Sequence, residues 1–116
     1  MPPIWQETHG RNQLIGIKGR LDHDLTAPLD YLLRTLMEQG QSQLVVDLTA
    51  VTYINSGGLR VLVSARRRAQ EIGGSLTLLG LSPRLLEIFQ MVGFDTLFPI
   101  YPTRQAWEAQ QDRDER

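Results

Sequence analysis

Short apolar segments alternate along the chain with segments whose apolar residues recur at helical spacing. The pattern predicts strands at residues 4–8, 14–17, 44–46, 76–79 and 97–100. It predicts helices that begin after residues 22–26, near Ser56, after Ser82 and after Thr103. Strands that alternate with helices indicate an α/β fold, with a single mixed, mostly parallel β-sheet and helices packed mainly on one of its faces.

The limits and the core of the domain follow from the same pattern. Residues 47–55 predict an irregular connection that contains a short apolar stretch, and Pro28 is expected in the first turn of the first helix. Residues 110–116 are polar and are predicted to fray, so the domain is expected to span residues 1–109 and to end in a polar C-terminal tail, 110–116. The predicted core consists of Leu14, Ile17, Leu32, Leu36, Leu44, Val46, Leu62, Leu78 and Phe89.

The charges of the chain are nearly balanced. Twelve Lys and Arg residues stand against thirteen Asp and Glu residues, for a formal net charge of −1 among 116 residues. A protein that binds nucleic acid directly usually carries a strong basic surplus, because neutralising phosphates supplies much of its affinity. We therefore interpret the local run of Arg66, Arg67 and Arg68 as a solvated helix face and expect no direct contact with nucleic acid.

Composition also bears on cofactors and on the compartment. The chain has no cysteine, and its histidines lack metal-ligand spacing, so we expect neither a metal nor another cofactor. The first seven residues show no basic segment followed by an apolar one, as a secretory signal would. No apolar run approaches the roughly 18 residues that a membrane span requires. The expectation is a soluble, cytoplasmic protein.

Motifs for catalysis are missing. The Gly-x-Ser-x-Gly pattern fails around Ser56, because Ile54 stands at the first glycine position. Only His9 and His23 could serve a Ser–His–Asp triad, and neither lies in a recognisable catalytic context. No phosphate-binding glycine loop is present either. We therefore do not expect an enzyme.

The most specific stretch surrounds Ser56, the predicted N-cap of the second helix. A serine hydroxyl there can accept hydrogen bonds from the first turn of the helix, which makes a plain capping serine one interpretation. Gly57 and Gly58 follow it and are expected to leave backbone amides open to another molecule. Because helix N-termini favour negative charge, a phosphate on Ser56 would also be tolerated at this position.

Two sequence elements resemble the STAS domain, the fold of anti-sigma factor antagonists. Asp47-Leu48-Thr49, followed by Ile54-Asn55-Ser56-Gly57-Gly58-Leu59, is similar to the family's Asp-Leu-Ser and its Ile/Met-Asp-Ser-Ser/Thr-Gly-Leu. Gly19-Arg20-Leu21-Asp22-His23 resembles the family's Gly-Glu-Leu-Asp-His. With weaker matches elsewhere, the resemblance spans roughly residues 4–107 and implies a STAS-like fold.

The resemblance implies a switch. It assigns Ser56 as the residue phosphorylated by an anti-sigma factor that is also a serine kinase, and it implies that the unphosphorylated antagonist binds this kinase and releases a sigma factor. A serine phosphatase acting on phosphorylated Ser56 would reset the switch. The chain itself is expected to be a monomer or a weak dimer.

Two loops are expected to form the partner-binding surface. Each follows a strand and precedes a helix, and such loops meet at the carboxyl edge of a parallel sheet. We expect one contiguous surface from the residues Asp22, His23, Asp24, Asn55, Gly57, Gly58 and Arg60.

Two departures from the family pattern leave an alternative open. Asn55 stands where the family usually has Asp, which removes a charge but keeps an acceptor oxygen. Gly57 replaces a Ser or Thr, so Ser56 is left as the only acceptor in the loop. The alternative is a STAS subunit with a structural role and no phosphorylation, for example in a lipid-transport or sensory complex.

Overall fold

Five strands pair in the order in which they occur along the chain, within residues 2–114 that the computed structural model describes. The first two strands are antiparallel, and the pairs that follow are all parallel. The predicted mixed, mostly parallel sheet is therefore confirmed. The elements are β1 (Ile4–His9), β2 (Asn12–Leu21), α1 (His23–Glu38), β3 (Gln43–Ile54), α2 (Ser56–Glu71), β4 (Ser75–Leu79), α3 (Pro83–Met91), a 3₁₀ helix (Phe94–Thr96), β5 (Ile100–Tyr101) and α4 (Arg104–Asp114).

The two faces of the sheet carry different layers, because successive side chains of a strand point to opposite faces. Ile15 of β2 and Val46 of β3 belong to the large apolar cluster that also holds the buried residues of α1, α2 and α3. Their neighbours Leu14 and Val45 belong to a smaller cluster with Trp107 of α4. Three helices therefore cover one face and α4 covers the other, which confirms that the helices pack mainly on one face.

The predicted core is confirmed at every position except one. Leu32 is half-buried and packs against the edge of the core, because α1 turns Leu29, Leu33 and Leu36 inward instead. On this helix the prediction is therefore confirmed at Leu36 and wrong at Leu32.

Strand β3 differs most from the sequence prediction. The expected irregular connection at residues 47–55 is wrong, because β3 runs without interruption from Gln43 to Ile54. Its pairing with β2 shifts register twice, between Gly16 and Lys18 and between Gly19 and Arg20 of β2. At each shift β3 holds an extra residue, as in a β-bulge, so its buried side chains Leu48, Val51 and Ile54 recur every three residues.

The first shift is fixed by a side-chain interaction within β3. Oδ1 of Asp47 accepts hydrogen bonds from the backbone N–H of Thr49 at 3.0 Å and from its hydroxyl at 2.6 Å. Asp47 is also the last residue of β3 that pairs with β4. The Asp47-Leu48-Thr49 motif therefore has a structural role, which is to shape the strand where it leaves β4.

Three smaller differences concern element boundaries. Pro28 lies in the second turn of α1 and not in the first, because the helix already begins at His23. The last strand is Ile100–Tyr101, while residues 97–99 connect it to the 3₁₀ helix. Helix α4 continues through Asp114, so the described part of the predicted frayed tail is helical. Residues 115 and 116, and Met1 at the other end, lie outside the described residues.

The domain boundary at residue 109 stays a prediction, and Trp107 makes it testable. This side chain is 1% exposed and packs beneath the sheet. We expect Trp107→Ala to lower the free energy of unfolding by about 3–5 kcal/mol, because it leaves a large cavity. Removal of residues 110–116 should cost about 1 kcal/mol or less, since the described residues among them are exposed or half-buried. Urea unfolding of Trp107→Ala and of the shortened protein measures the two losses in free energy of unfolding. Equal losses would show that residues 110–116 belong to the domain.

Candidate functional site

The first residues of α1 and α2 lie side by side at one edge of the sheet. Strands β2 and β3 are parallel, and their last residues, Leu21 and Ile54, are direct partners in the register. The backbone N–H of Asn55 donates to the carbonyl oxygen of Leu21 at 3.2 Å, so the two strand ends stay joined up to the start of α2. The two predicted loops are therefore brought together, as expected for the carboxyl edge of parallel strands.

Asn55 is the N-cap of α2, which corrects the prediction that Ser56 has this role. Its Oδ1 accepts a hydrogen bond from the backbone N–H of Gly58 at 2.9 Å. Its backbone is extended, with φ −103° and ψ −179°, as is usual for a capping residue. An acceptor oxygen is all that this cap requires, so Asn fulfils it without the charge of an Asp.

Ser56 is the first residue of α2, and its side chain is exposed. Because Asn55 caps the helix, the hydroxyl of Ser56 is not needed for that purpose. The placement at a helix N-terminus near the surface is confirmed. Negative charge at this position is favourable by about 0.3–1 kcal/mol, so a phosphate here is compatible with the folded helix.

The two glycines after Ser56 have different surroundings. A Cβ at Gly58 would lie 2.9 Å from the carbonyl oxygen of Leu21 and 2.8 Å from Cγ1 of Ile54. Gly58 is also buried, and its N–H already donates to Asn55, so the expectation that this amide stays open is wrong. A Cβ at Gly57 would meet nothing nearer than 3.3 Å, at Oδ1 of Asn55. Gly58 thus serves close packing, whereas Gly57 lies half-buried at the surface.

Asp22 is the N-cap of α1, in the position that Asn55 has for α2. Its carboxylate accepts hydrogen bonds from the N–H of Asp24 at 3.4 Å and from Nε of Arg20 at 3.2 Å. Partial burial raises the pKa of Asp22, but these two hydrogen bonds, together with the charges of His23 and Arg20, outweigh it and hold the pKa below its ordinary value. The stability that the carboxylate contributes is therefore present at neutral pH and is lost only in acid, as the pH falls through the lowered pKa.

His23 and Asp24 are both exposed on the predicted surface. Their side chains are 84% and 83% exposed, and His23 Nε2 lies 3.6 Å from Asp24 Oδ1. Sequence reasoning missed a neighbouring pair, in which the guanidinium of Arg20 stacks over the ring of Tyr53 at 4.1 Å. The two residues are register partners on β2 and β3, so this contact could be predicted only from the register in which the two strands pair.

The run of three arginines on α2 does not form one solvated face. Arg66 donates from Nε to the carbonyl oxygen of Leu97 at 2.6 Å, and Arg68 lies 4.0 Å from a carboxylate oxygen of Asp30 on α1. Only Arg67 is exposed. Consecutive helical residues point about 100° apart, which separates the three charges.

Arg60, one of the predicted binding residues, is exposed and lines a groove beside Ser56.

Within residues 2–114, no group of three or more His, Asp or Glu side chains is placed to hold a metal ion. No helix in this range is long and apolar enough to cross a membrane.

Comparisons with known proteins agree with one another. Residues 5–100 match the family model described as "Mlab, STAS domain". The chain is 33% identical over 78 residues to the protein BtrV of Bordetella bronchiseptica, covering 67% of each chain. It is 35% identical over 86 residues to the anti-sigma-B factor antagonist of Bacillus subtilis, covering 74% of this chain and 78% of that one.

Solved structures show the same fold. The anti-sigma factor antagonist SpoIIAA in its unphosphorylated form superposes with a TM-score of 0.76 at 19% identity, over 95% of this chain and 97% of that one. The phosphorylated form of Bacillus SpoIIAA superposes with a TM-score of 0.74 at 22% identity, over the same shares of the two chains.

The contrast between the two glycines gives a matched pair of variants. We expect Gly58→Ala to lower the free energy of unfolding by about 1–3 kcal/mol, because the new methyl group must push α2 away from Leu21. Gly57→Ala should change it by less than about 1 kcal/mol, because two small effects oppose each other. Alanine stabilises the protein by reducing the entropy of the unfolded chain, while its Cβ makes a slightly tight contact with Asn55 in the folded state. Denaturant unfolding of the two variants measures both; similar losses would show that Gly58 does not fix the start of α2.

Proposed function

The chain belongs to the STAS domain family of anti-sigma factor antagonists, and on that premise we propose how it works. It acts in the cytoplasm as a binding module and not as an enzyme. In its unphosphorylated form it binds an anti-sigma factor that has serine kinase activity, and a sigma factor is released. The kinase phosphorylates Ser56, which ends the binding, and a serine phosphatase removes the phosphate.

The observation that carries this proposal is the exposed hydroxyl of Ser56 at the start of α2. Because Asn55 supplies the cap, transfer of a phosphate to Ser56 leaves the hydrogen bond to Gly58 in place. The neighbouring start of α1 presents Asp22, His23 and Asp24 to the same partner. The two solved forms of SpoIIAA, a protein of the same fold, support the idea that this fold accepts a phosphate.

Magnitudes indicate that the switch acts on binding and not on folding. A phosphate adds about −1.5 to −2 charges at neutral pH, and the N-terminus of α2 tolerates it. At a docked interface, the same charge is buried or meets like charges at a cost of several kcal/mol. That cost corresponds to about a hundredfold or more in affinity.

The alternative is a STAS subunit with a structural role and no phosphorylation. It requires no accessible hydroxyl at residue 56, so the exposure of Ser56 favours the switch. The two functions differ in one measurable respect, which is whether partner binding depends on the state of Ser56.

The switch is tested with Ser56→Ala and Ser56→Asp. Both variants should melt near the wild type, because neither removes a capping or core group. Ser56→Ala should bind the kinase and accept no phosphate, while Ser56→Asp should bind at least a hundredfold more weakly. Pull-down identifies the partner, and calorimetry then measures its affinity for each variant.

Gln105→Glu is the charge-matched control for Ser56→Asp. Gln105 is exposed on α4, on the opposite face of the sheet, so its variant should bind like the wild type. Phosphorylation of Ser56→Ala by the kinase would show that another residue is the acceptor. If authentic phosphoserine at residue 56 leaves the affinity unchanged, the switch is wrong.

A second variant separates the charge of Asp22 from its capping role. Asp22→Ala would remove the N-cap of α1, at a cost of about 1 kcal/mol, so it would confuse folding with binding. Asp22→Asn keeps a capping oxygen, and we expect a near-normal melting temperature with affinity for the kinase reduced about tenfold. Asp112→Asn, an exposed position on α4, is the control. Unchanged affinity of Asp22→Asn would remove Asp22 from the interface.

A further inference from the structure

A shallow groove runs along the outer side of α2, directly beside Ser56. Its volume is about 500 Å³, and it lies between α2 and the chain that follows α3. Leu59 and Val63 line it from α2, while Val92 and Phe94 line it from the other side. The groove therefore has an apolar floor that begins at the proposed phosphorylation site.

The far wall of the groove is tied to α2. The guanidinium of Arg66 donates to the carbonyl oxygen of Leu97 at 2.6 Å, across 31 residues of sequence. Leu97 directly follows the 3₁₀ helix that contains Phe94, and its N–H donates to the carbonyl oxygen of Phe94. The groove is therefore a fixed feature of the fold and not a gap between loosely joined segments.

An apolar side chain of the lining is exposed. Val92, which lines the groove, is 49% exposed, and its chain neighbour Met91 is 85% exposed, at the end of a helix that buries Leu85 and Phe89. Single exposed apolar residues are ordinary, but Val92 and Met91 are adjacent in the chain and Val92 lines an apolar groove next to Ser56. Apolar exposure that adjoins an apolar groove is consistent with a surface that binds another molecule.

The charge of the groove is positive. Arg60 and Arg67 line it, both are exposed, and no acidic side chain lines it. Among residues 2–114, no carboxylate lies within 4.0 Å of either guanidinium, whereas Arg68 on the next position approaches Asp30. Two free guanidinium groups beside an apolar floor are complementary to carboxylates that flank an apolar side chain.

We propose that this groove binds an acidic segment of the anti-sigma factor, in which an apolar side chain lies between carboxylates. The apolar side chain packs on Leu59, Val63 and Val92, and the carboxylates pair with Arg60 and Arg67. This inference rests on the proposed function and adds to it the chemistry of the partner's contact segment.

The same arrangement explains how a phosphate on Ser56 would interrupt binding. Arg60 lies four residues after Ser56, and residues at this spacing are neighbours on one side of a helix. A phosphate on Ser56 carries more charge than a carboxylate and competes with the partner for Arg60. Phosphorylation therefore both adds repulsion at the mouth of the groove and occupies one of its two cations.

Charge reversal tests the proposal on the complex with the kinase captured by the wild type. We expect Arg60→Glu and Arg67→Glu each to weaken binding at least tenfold, and the dependence of affinity on salt to decrease. Arg11→Glu is the matched control, because Arg11 is exposed in the turn between β1 and β2, at the opposite end of the sheet, and changes the net charge equally. It should change affinity less than twofold, and all three variants should melt near the wild type.

A second measurement leaves both arginines in place. Ser64 lines the groove, and Ser64→p-benzoylphenylalanine places a photo-cross-linker there. Mass spectrometry of the cross-linked complex should identify a partner segment in which Asp or Glu flank an apolar residue. A cross-link to a segment without carboxylates, to nucleic acid, or between two copies of this chain would overturn the proposal.

The outcomes distinguish this inference from the proposed function. If the kinase binds in a manner that depends on Ser56, but both charge reversals bind like the wild type, then the groove proposal alone is wrong. If the wild type captures no kinase in any state of Ser56, then the proposed function fails and the inference fails with it.

Discussion

The contact between Gly58 and the end of β2 sets the position of the whole candidate site. Only a hydrogen atom fits between Cα of Gly58 and the carbonyl oxygen of Leu21, so the first turn of α2 lies directly against the neighbouring strand. This close packing brings the N-terminus of α2 beside the N-terminus of α1, and it also orients the outer side of α2. The exposure of Ser56, the surface around Asp22 and the groove at Arg60 all depend on where this turn is held.

Most of the fold could be predicted from the sequence because its strands and helices have regular apolar periods. Strand β3 could not, and the reason is physical. Two bulges give Leu48, Val51 and Ile54 a period of three, which matches neither an alternating strand nor a helix. The bulges are defined by pairing with β2, so no local pattern in β3 reveals them. The same limit applies to the stacking of Arg20 on Tyr53, which depends on the register of the two strands.

The structure brings the two predicted loops together, but it gives the N-cap of α2 to Asn55 and not to Ser56. Asn55 and Ser56 are both good N-cap residues, and which of them caps α2 depends on where β3 ends. Because the bulges carry β3 to Ile54, the cap falls on Asn55 and the serine moves one residue into the helix. The offset matters for function, since it separates the residue that stabilises the helix from the residue that presents a hydroxyl.

The length of β3 has a consequence for association between molecules. Within the described residues, β3 pairs with β4 only up to Asp47, so its last seven residues, Leu48 to Ile54, have a strand partner on the β2 side alone. Such a one-sided stretch offers unpaired N–H and carbonyl groups to which another chain could add a strand. Both bulges lie at or beyond the point where β4 stops, and bulges twist a strand away from the flat geometry that such an addition requires. The same bulges that make β3 irregular in the sequence therefore disfavour the addition of another strand along this stretch.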